Sequence, residues 1–135
     1  MNRIRPPAAI LARVLIVTIF LASGFGIVDP AFPTHEMIAR GVPVNLAPLL
    51  VLGGRAVQIF AGLGLAFGGY RRICAVGLIL FLIPATLIAH SFWLTPTQLF
   101  QMQLVNFLKN VSMIGGLLFI ASMNSDPQRH TLPRT

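Results

Sequence analysis

Two long apolar runs meet at a three-residue hinge, Tyr70-Arg71-Arg72, and that junction limits what the chain can fold into. On one side lies APLLVLGGRAVQIFAGLGLAFGG, on the other ICAVGLILFLIPATLIAHSFW. Each run is long enough to cross a bilayer, which takes about 20 apolar residues at a rise of about 1.5 Å each. So short a connection makes the two helices antiparallel neighbours. Its two arginines favour the cytoplasmic side for the hinge.

The rest of the chain obeys the same constraint. Charged residues make up 10% of it, against about 25% in a soluble domain. No soluble fold of 135 residues hides a hydrophobic share of 56%, so the bilayer is the expected solvent for most of these side chains. Residues 1–135 contain no polar stretch long enough for a second unit and are expected to form a single membrane domain. The net charge of +7 would suggest nucleic acid in a soluble protein. Here the basic residues stand singly or in pairs near the ends of apolar runs, which excludes a nucleic-acid partner. One cysteine, Cys74, excludes an internal disulfide and a Cys-x-x-Cys redox pair.

Four spans are predicted, over about 8–28, 45–69, 73–94 and 100–123, giving an all-α transmembrane four-helix bundle. The first could be mistaken for a signal peptide, but its run is long and more spans follow. Asp29-Pro30 is expected to stop it. Between spans one and two, Thr34 is placed as the N-cap of a short interfacial helix ending at Gly41. Met37 and Ile38 of that helix would face the membrane surface. Pro48 falls in the first turn of span two, where it is tolerated. Gly53, Gly54, Gly62, Gly64 and Gly68 are read as close-packing positions, and Pro84 as a kink in span three. Thr95-Pro96-Thr97-Gln98 has the form of a capping box opening the last helix. Residues 124–135 form a polar, cytoplasmic tail.

Orientation follows from counting. With the amino terminus cytoplasmic, that side holds Arg3, Arg5, Arg13, Arg71, Arg72, Arg129 and Arg134, and the other holds Arg40. Both termini are therefore expected in the cytoplasm.

Ionisable groups inside a membrane usually face the protein interior. Arg55 lies about 15 Å below the outer end of span two, with Gln58 on the same face. Gln103, Asn106 and Asn110 form one polar stripe on span four, beside Lys109. His90 stands near the outer end of span three, one turn from Thr86. Arg55 is expected to face inward; Lys109 either snorkels or contributes to a site. Trp93 is an interfacial anchor or a ligand contact. Gln58 and Asn106 are expected to join helix–helix hydrogen bonds. Arg55 and Lys109 would share a cavity with His90, closed by Glu36 or filled by an anionic or carbonyl-bearing ligand. No metal site is expected, and no pair of histidines faces across spans as a haem requires.

With these residues in view, the chain resembles the DoxX family of small four-span bacterial membrane proteins. The likeness covers about residues 10–122. It rests on Ser23-Gly24 followed by Asp29-Pro30, Gly41-x-Pro43, Gly62 with Leu65 and Gly68, Arg72, Thr86, His90-x-Phe92-Trp93, Lys109-Asn110 and Gly115-Gly116. The resemblance implies a bacterial inner-membrane address and, in some relatives, quinone-coupled oxidation of sulfur compounds. Two positions depart from it. Ile27 stands where the family often has lysine. Gln58 stands where it often has glutamate, and a glutamine exchanges no proton near neutral pH.

The expectation is thus an accessory subunit binding a quinone or lipid-like molecule in the outer half of the bundle. Its candidate contacts are Arg55, Gln58, His90, Trp93, Lys109 and Asn110. The alternative is the membrane subunit of a quinone-linked oxidoreductase whose cofactor lies on a partner redox subunit. A small carrier or channel, working as a homo-oligomer, is third. No intrinsic cofactor is expected, and quinone is the small molecule these readings admit.

Overall fold

The computed structural model describes residues 6–29 and 31–123. Pro30, the tail from residue 124 with Asp126, Arg129 and Arg134, and the leading Arg3 and Arg5 lie outside the described residues. Five α-helices follow in order: α1 (Pro6–Gly24), α2 (Ala31–Ala39), α3 (Ala47–Phe67), α4 (Arg71–Ala89) and α5 (Thr97–Ser122). A 3₁₀ turn over Phe92–Leu94 extends α4. Four of these segments, all but α2, are long and apolar enough to cross a membrane, which bears out the all-α four-span architecture.

Each helix packs on the next long one, α1 on α3, α3 on α4 and α4 on α5, and a few contacts between α5 and α1 complete the bundle. The four long helices each send a fully buried side chain to the centre: Val17, Leu65, Leu78 and Leu117. Phe20, Ala75, Ile79, Leu82 and Ile120 complete that core. Large apolar residues also point outward, Phe60 and Phe67 at 76% and 85% exposure, as a bilayer solvent requires.

Helix ends depart from the sequence expectation in four places. α1 stops at Gly24, before Asp29. Gly26 adopts a left-handed conformation (φ 79°), the Ile27 amide reaches the Ala22 carbonyl, and the Gly26 amide reaches that of Ser23. This is a Schellman end, which needs no following proline. α2 begins at Ala31, so Thr34 lies inside it; Asp29 Oδ1 accepts from the Ala31 amide at 2.9 Å. Its end at Gly41 (φ 88°) is as expected. Thr95 does not cap α5. It donates to the Ser91 carbonyl at 3.0 Å, and Pro96 occupies the cap position without a side-chain bond. The hinge also shifts: Arg71 and Arg72 open α4, and the turn itself is Gly68–Tyr70. α4 runs through Pro84 as one helix.

Three of the five span-two glycines face an apolar or thiol side chain of another helix at close range, and a fourth, Gly68, faces Arg13 of α1. A Cβ on Gly54 would stand 2.8 Å from Phe81, one on Gly62 2.9 Å from Leu21, and one on Gly64 against the Cys74 sulfur. Gly53 has open space, and Gly68 ends α3 in the left-handed conformation.

Candidate functional site

The end of the bundle away from the Gly68–Tyr70 turn holds a mostly apolar cavity into which a few polar side chains reach. α1 ends early there, and α2 lies across the gap against α3 and α4. Beneath α2 is a cavity of about 80 Å³, with Pro33 and Met37 of α2 above, Ser23 of α1, Gly54, Arg55 and Gln58 of α3, and Phe81, Ala85 and Ile88 of α4. Met37 therefore turns inward over the cavity, whereas Ile38 is exposed. A wider crevice of about 590 Å³ runs between α3 and α4, lined by Leu49, Gly53, Val57, Gly77, Leu80 and Pro84. It shares Met37, Leu50, Gly54, Phe81, Ala85 and Ile88 with the cavity, so these six residues border both spaces. Gly54 admits that ring; any larger residue would displace it.

Polar groups in the cavity have unequal partners. Arg55 Nε donates to the Gly24 carbonyl at 2.9 Å. It thereby satisfies an end carbonyl of α1 and brings a positive charge to the negative pole of that helix. Gln58 is 95% buried, yet it has no hydrogen-bond partner among the described residues. Its amide keeps some accessible surface, so its hydrogen-bonding groups open on the cavity rather than being sealed in the core.

α2 is fastened rather than loose. Arg40 Nη1 donates to Ser91 Oγ, which is 99% buried, and Arg40 Nη2 reaches Glu36 at 3.5 Å. Glu36 thus stays with Arg40, one residue past the end of its helix, and does not fold over the cavity. This fastening was not foreseen, because nothing in the sequence marks Ser91 as a partner across 51 residues.

The remaining candidates fall elsewhere. His90 Nδ1 and Gln103 Oε1 share a 2.8 Å hydrogen bond between the α4 end and α5. Asn110 Nδ2 donates to Thr86 Oγ1 at 3.0 Å, and that hydroxyl donates on to the Leu82 carbonyl at 2.6 Å. Trp93 is half exposed in an aromatic group with Phe92 and Phe107, ring centres 5.1 and 5.9 Å away. Lys109 is exposed and, among the described residues, reaches only Asn106 of its own helix, at 3.2 Å. So the structure brings Arg55 and Gln58 together and does not bring Lys109, His90, Trp93 or Asn110 to them. The shared Arg55–Lys109 cavity is corrected: Arg55 is turned toward α1, and Lys109 points out of the bundle. Asn106 likewise bonds within α5 rather than across helices. Ser23, Met37 and Phe81 were missed as cavity-forming residues; Gly54, read as a packing position, was the one signal of where the space lies.

A family model described as DoxX matches residues 8–91, more than half of the chain. The chain belongs to the DoxX family. The matched stretch holds every lining residue of the cavity and stops before α5, short of residue 122. Two curated proteins of Escherichia coli (strain K12) are similar along most of this DoxX chain. Inner membrane protein YphA is 26% identical over 118 residues, 87% of this chain and 83% of its own length. Inner membrane protein YqjF is 26% identical over 122 residues, covering 90% and 87%. No solved structure matches the DoxX chain. Among its described residues no group of His, Cys, Asp and Glu could hold a metal ion.

Proposed function

We propose that this DoxX protein is a multi-pass inner-membrane protein that binds a lipid-soluble small molecule, a quinone or a similar carbonyl-bearing amphiphile, beneath α2. One observation carries the proposal: Gln58 is buried, borders the cavity, and has no partner among the described residues. A ligand carbonyl or hydroxyl there would complete its hydrogen bonding. Arg55, already held by Gly24, would add positive charge beside the polar head. The apolar remainder would lie in the α3–α4 crevice, whose walls are glycine, aliphatic side chains, Met37 and Phe81. Such a site is concave and mostly apolar, with few polar groups to fix orientation. Gln58 can donate and accept but releases no proton, which favours binding over proton-coupled chemistry at this position. An accessory role beside a redox partner agrees with that, and the inner-membrane relatives supply the address.

The test is binding in proteoliposomes titrated with decyl-ubiquinone. Saturable uptake is expected for the parent. Gln58→Leu should weaken it about tenfold, the equivalent of one lost buried hydrogen bond. Lys109→Gln, outside the cavity, should leave it unchanged. Equal binding by parent and Gln58→Leu would reject the site.

A further inference from the structure

Lys109 stands halfway along α5 and is exposed on the surface of the bundle. We infer that this face of α5 docks a membrane-spanning helix of another protein, one that carries an aspartate or glutamate near mid-span.

α5 packs on α4 and on the 3₁₀ turn, and it meets α1 at a few positions. Its other side is open: Val105, Leu108, Lys109, Ser112 and Phe119 are all exposed. Spacings of three, four and seven residues place them on one face of the helix. About 18 Å of helix lie on the Thr97 side of Lys109 and about 20 Å on the Ser122 side, at about 1.5 Å per residue. A hydrocarbon core of about 30 Å therefore holds Lys109 near its middle, deeper than a four-carbon stem reaches to water. The ammonium turns one helical turn toward Thr97 and stops at Asn106 Oδ1, itself inside the span. An ammonium has three donors, and Asn106 takes one. Ser112 offers nothing further, since its hydroxyl already donates to the Leu108 carbonyl at 3.0 Å. The rest of the face is aliphatic or aromatic. A charged group set among lipid tails in this way is costly, and such groups ordinarily face protein or water.

The cations at the α2 half of the bundle are provided for within the chain. Arg55 has the Gly24 carbonyl, and Arg40 has Glu36 and Ser91. Among the described residues Lys109 has neither an acid nor a group from another helix. Charge decides what covers it. The chain has three acids, Asp29, Glu36 and Asp126, and none falls within a span. A second copy can therefore offer Lys109 no carboxylate at its depth, and a symmetric pairing of two α5 faces would bring lysine toward lysine. A foreign helix with a mid-span carboxylate supplies the missing countercharge. Each group relieves the other of an unpaired position in hydrocarbon, and the apolar residues around Lys109 supply the packing.

The full chain, labelled with a donor dye at its carboxyl terminus, is placed in liposomes with a leucine-rich membrane-spanning peptide. The peptide carries an acceptor dye and one mid-span glutamate, and energy transfer reports association. The same peptide with leucine in that position is the control. The parent should prefer the glutamate peptide about tenfold, the scale of one hydrogen bond to a charged group. Lys109→Gln should erase the preference, and Lys109→Arg should keep it. Thermal melts establish that each variant is folded. If Lys109→Gln does not fold, Lys109→Leu takes its place, since leucine suits a face turned to lipid. If neither folds, Lys109 serves the bundle itself, which overturns the inference. Equal association of the parent with both peptides, or a glutamate preference that survives in Lys109→Gln, would also overturn it. So would energy transfer between donor- and acceptor-labelled copies of the parent that is lost in Lys109→Gln, because a second copy would then be the occupant.

Discussion

Asn110 and Gln58 are both buried amides inside spans, at 7% and 5% exposure, and their surroundings differ. Asn110 ends a chain of two hydrogen bonds through Thr86 to the Leu82 carbonyl. The two links are not equivalent. Asn110→Leu removes one donor to Thr86, whose own bond to Leu82 survives; a loss of about 0.6 kcal/mol is expected, the mean for such bonds in membrane proteins. Thr86→Val leaves the Asn110 amide buried without that partner, and about 1–3 kcal/mol is expected. Unfolding in mixed micelles should rank Thr86→Val below Asn110→Leu, with the double variant less destabilised than the sum. The reverse order would mean that the amide finds another partner. Sequence pattern reached part of this. Spacing showed that Gln103, Asn106 and Asn110 share a stripe; Gln103 and Asn110 bond across to His90 and Thr86, whereas Asn106 bonds within α5. Hydropathy reports how deep a side chain lies; it carries no information on which neighbour it turns toward. For the same reason Arg55 and Lys109 looked like one pair and are not.

Helix ends and contacts were legible where the cause is local. Gly41 ends α2 because a left-handed residue is needed there, and a glycine announces that in the sequence. The α1 end was misplaced because Asp29-Pro30 reads as the stop, whereas Gly26 turns left-handed three residues earlier and Arg55 from a distant helix supports that end. That support is half of an exchange between antiparallel neighbours: Arg55 of α3 meets the α1 end, and Arg13 of α1 meets the α3 end at Gly68. Packing between α3 and α4 is testable at Gly64. A Cβ there would lie 2.5 Å from the Cys74 sulfur but 3.9 Å from the Cys74 Cβ. Gly64→Ala should therefore cost about 1–3 kcal/mol by overpacking. Adding Cys74→Ala removes the sulfur and leaves an ordinary contact, so the double variant should recover most of the loss. Thermal melts of the four proteins decide it: a double variant as unstable as Gly64→Ala would place the strain elsewhere. Cys74→Ala alone should insert and fold as the parent does.

The molecule as a whole is polarised in charge, and its orientation in the membrane is a consequence that can be measured. The number of spans was legible because a local apolar run decides each one, whereas the contact of α1 with α5 depends on residues a hundred positions apart and had no local signal. At the end where α3 turns into α4, the described residues include Arg13, Arg71 and Arg72 and no acid. At the α2 end, Arg40 is paired with Glu36, and Asp29 lies nearby. Basic residues near span ends are retained in the cytoplasm, and acids count little. The Gly68–Tyr70 turn is therefore expected in the cytoplasm and α2 outside it. Four spans then return both termini to the cytoplasmic side. Green fluorescent protein inserted after Gly69 or fused after Thr135 should fluoresce, since it folds in the cytoplasm. Alkaline phosphatase inserted between Pro43 and Val44 should be active, because that exposed loop follows α2. Replacing Arg71 and Arg72 together with glutamine should weaken the bias without abolishing it, because Arg3, Arg5, Arg13, Arg129 and Arg134 remain. A fluorescent reporter at Pro43 together with an active phosphatase at Gly69 would invert the molecule. The cavity under α2 would then open toward the cytoplasm.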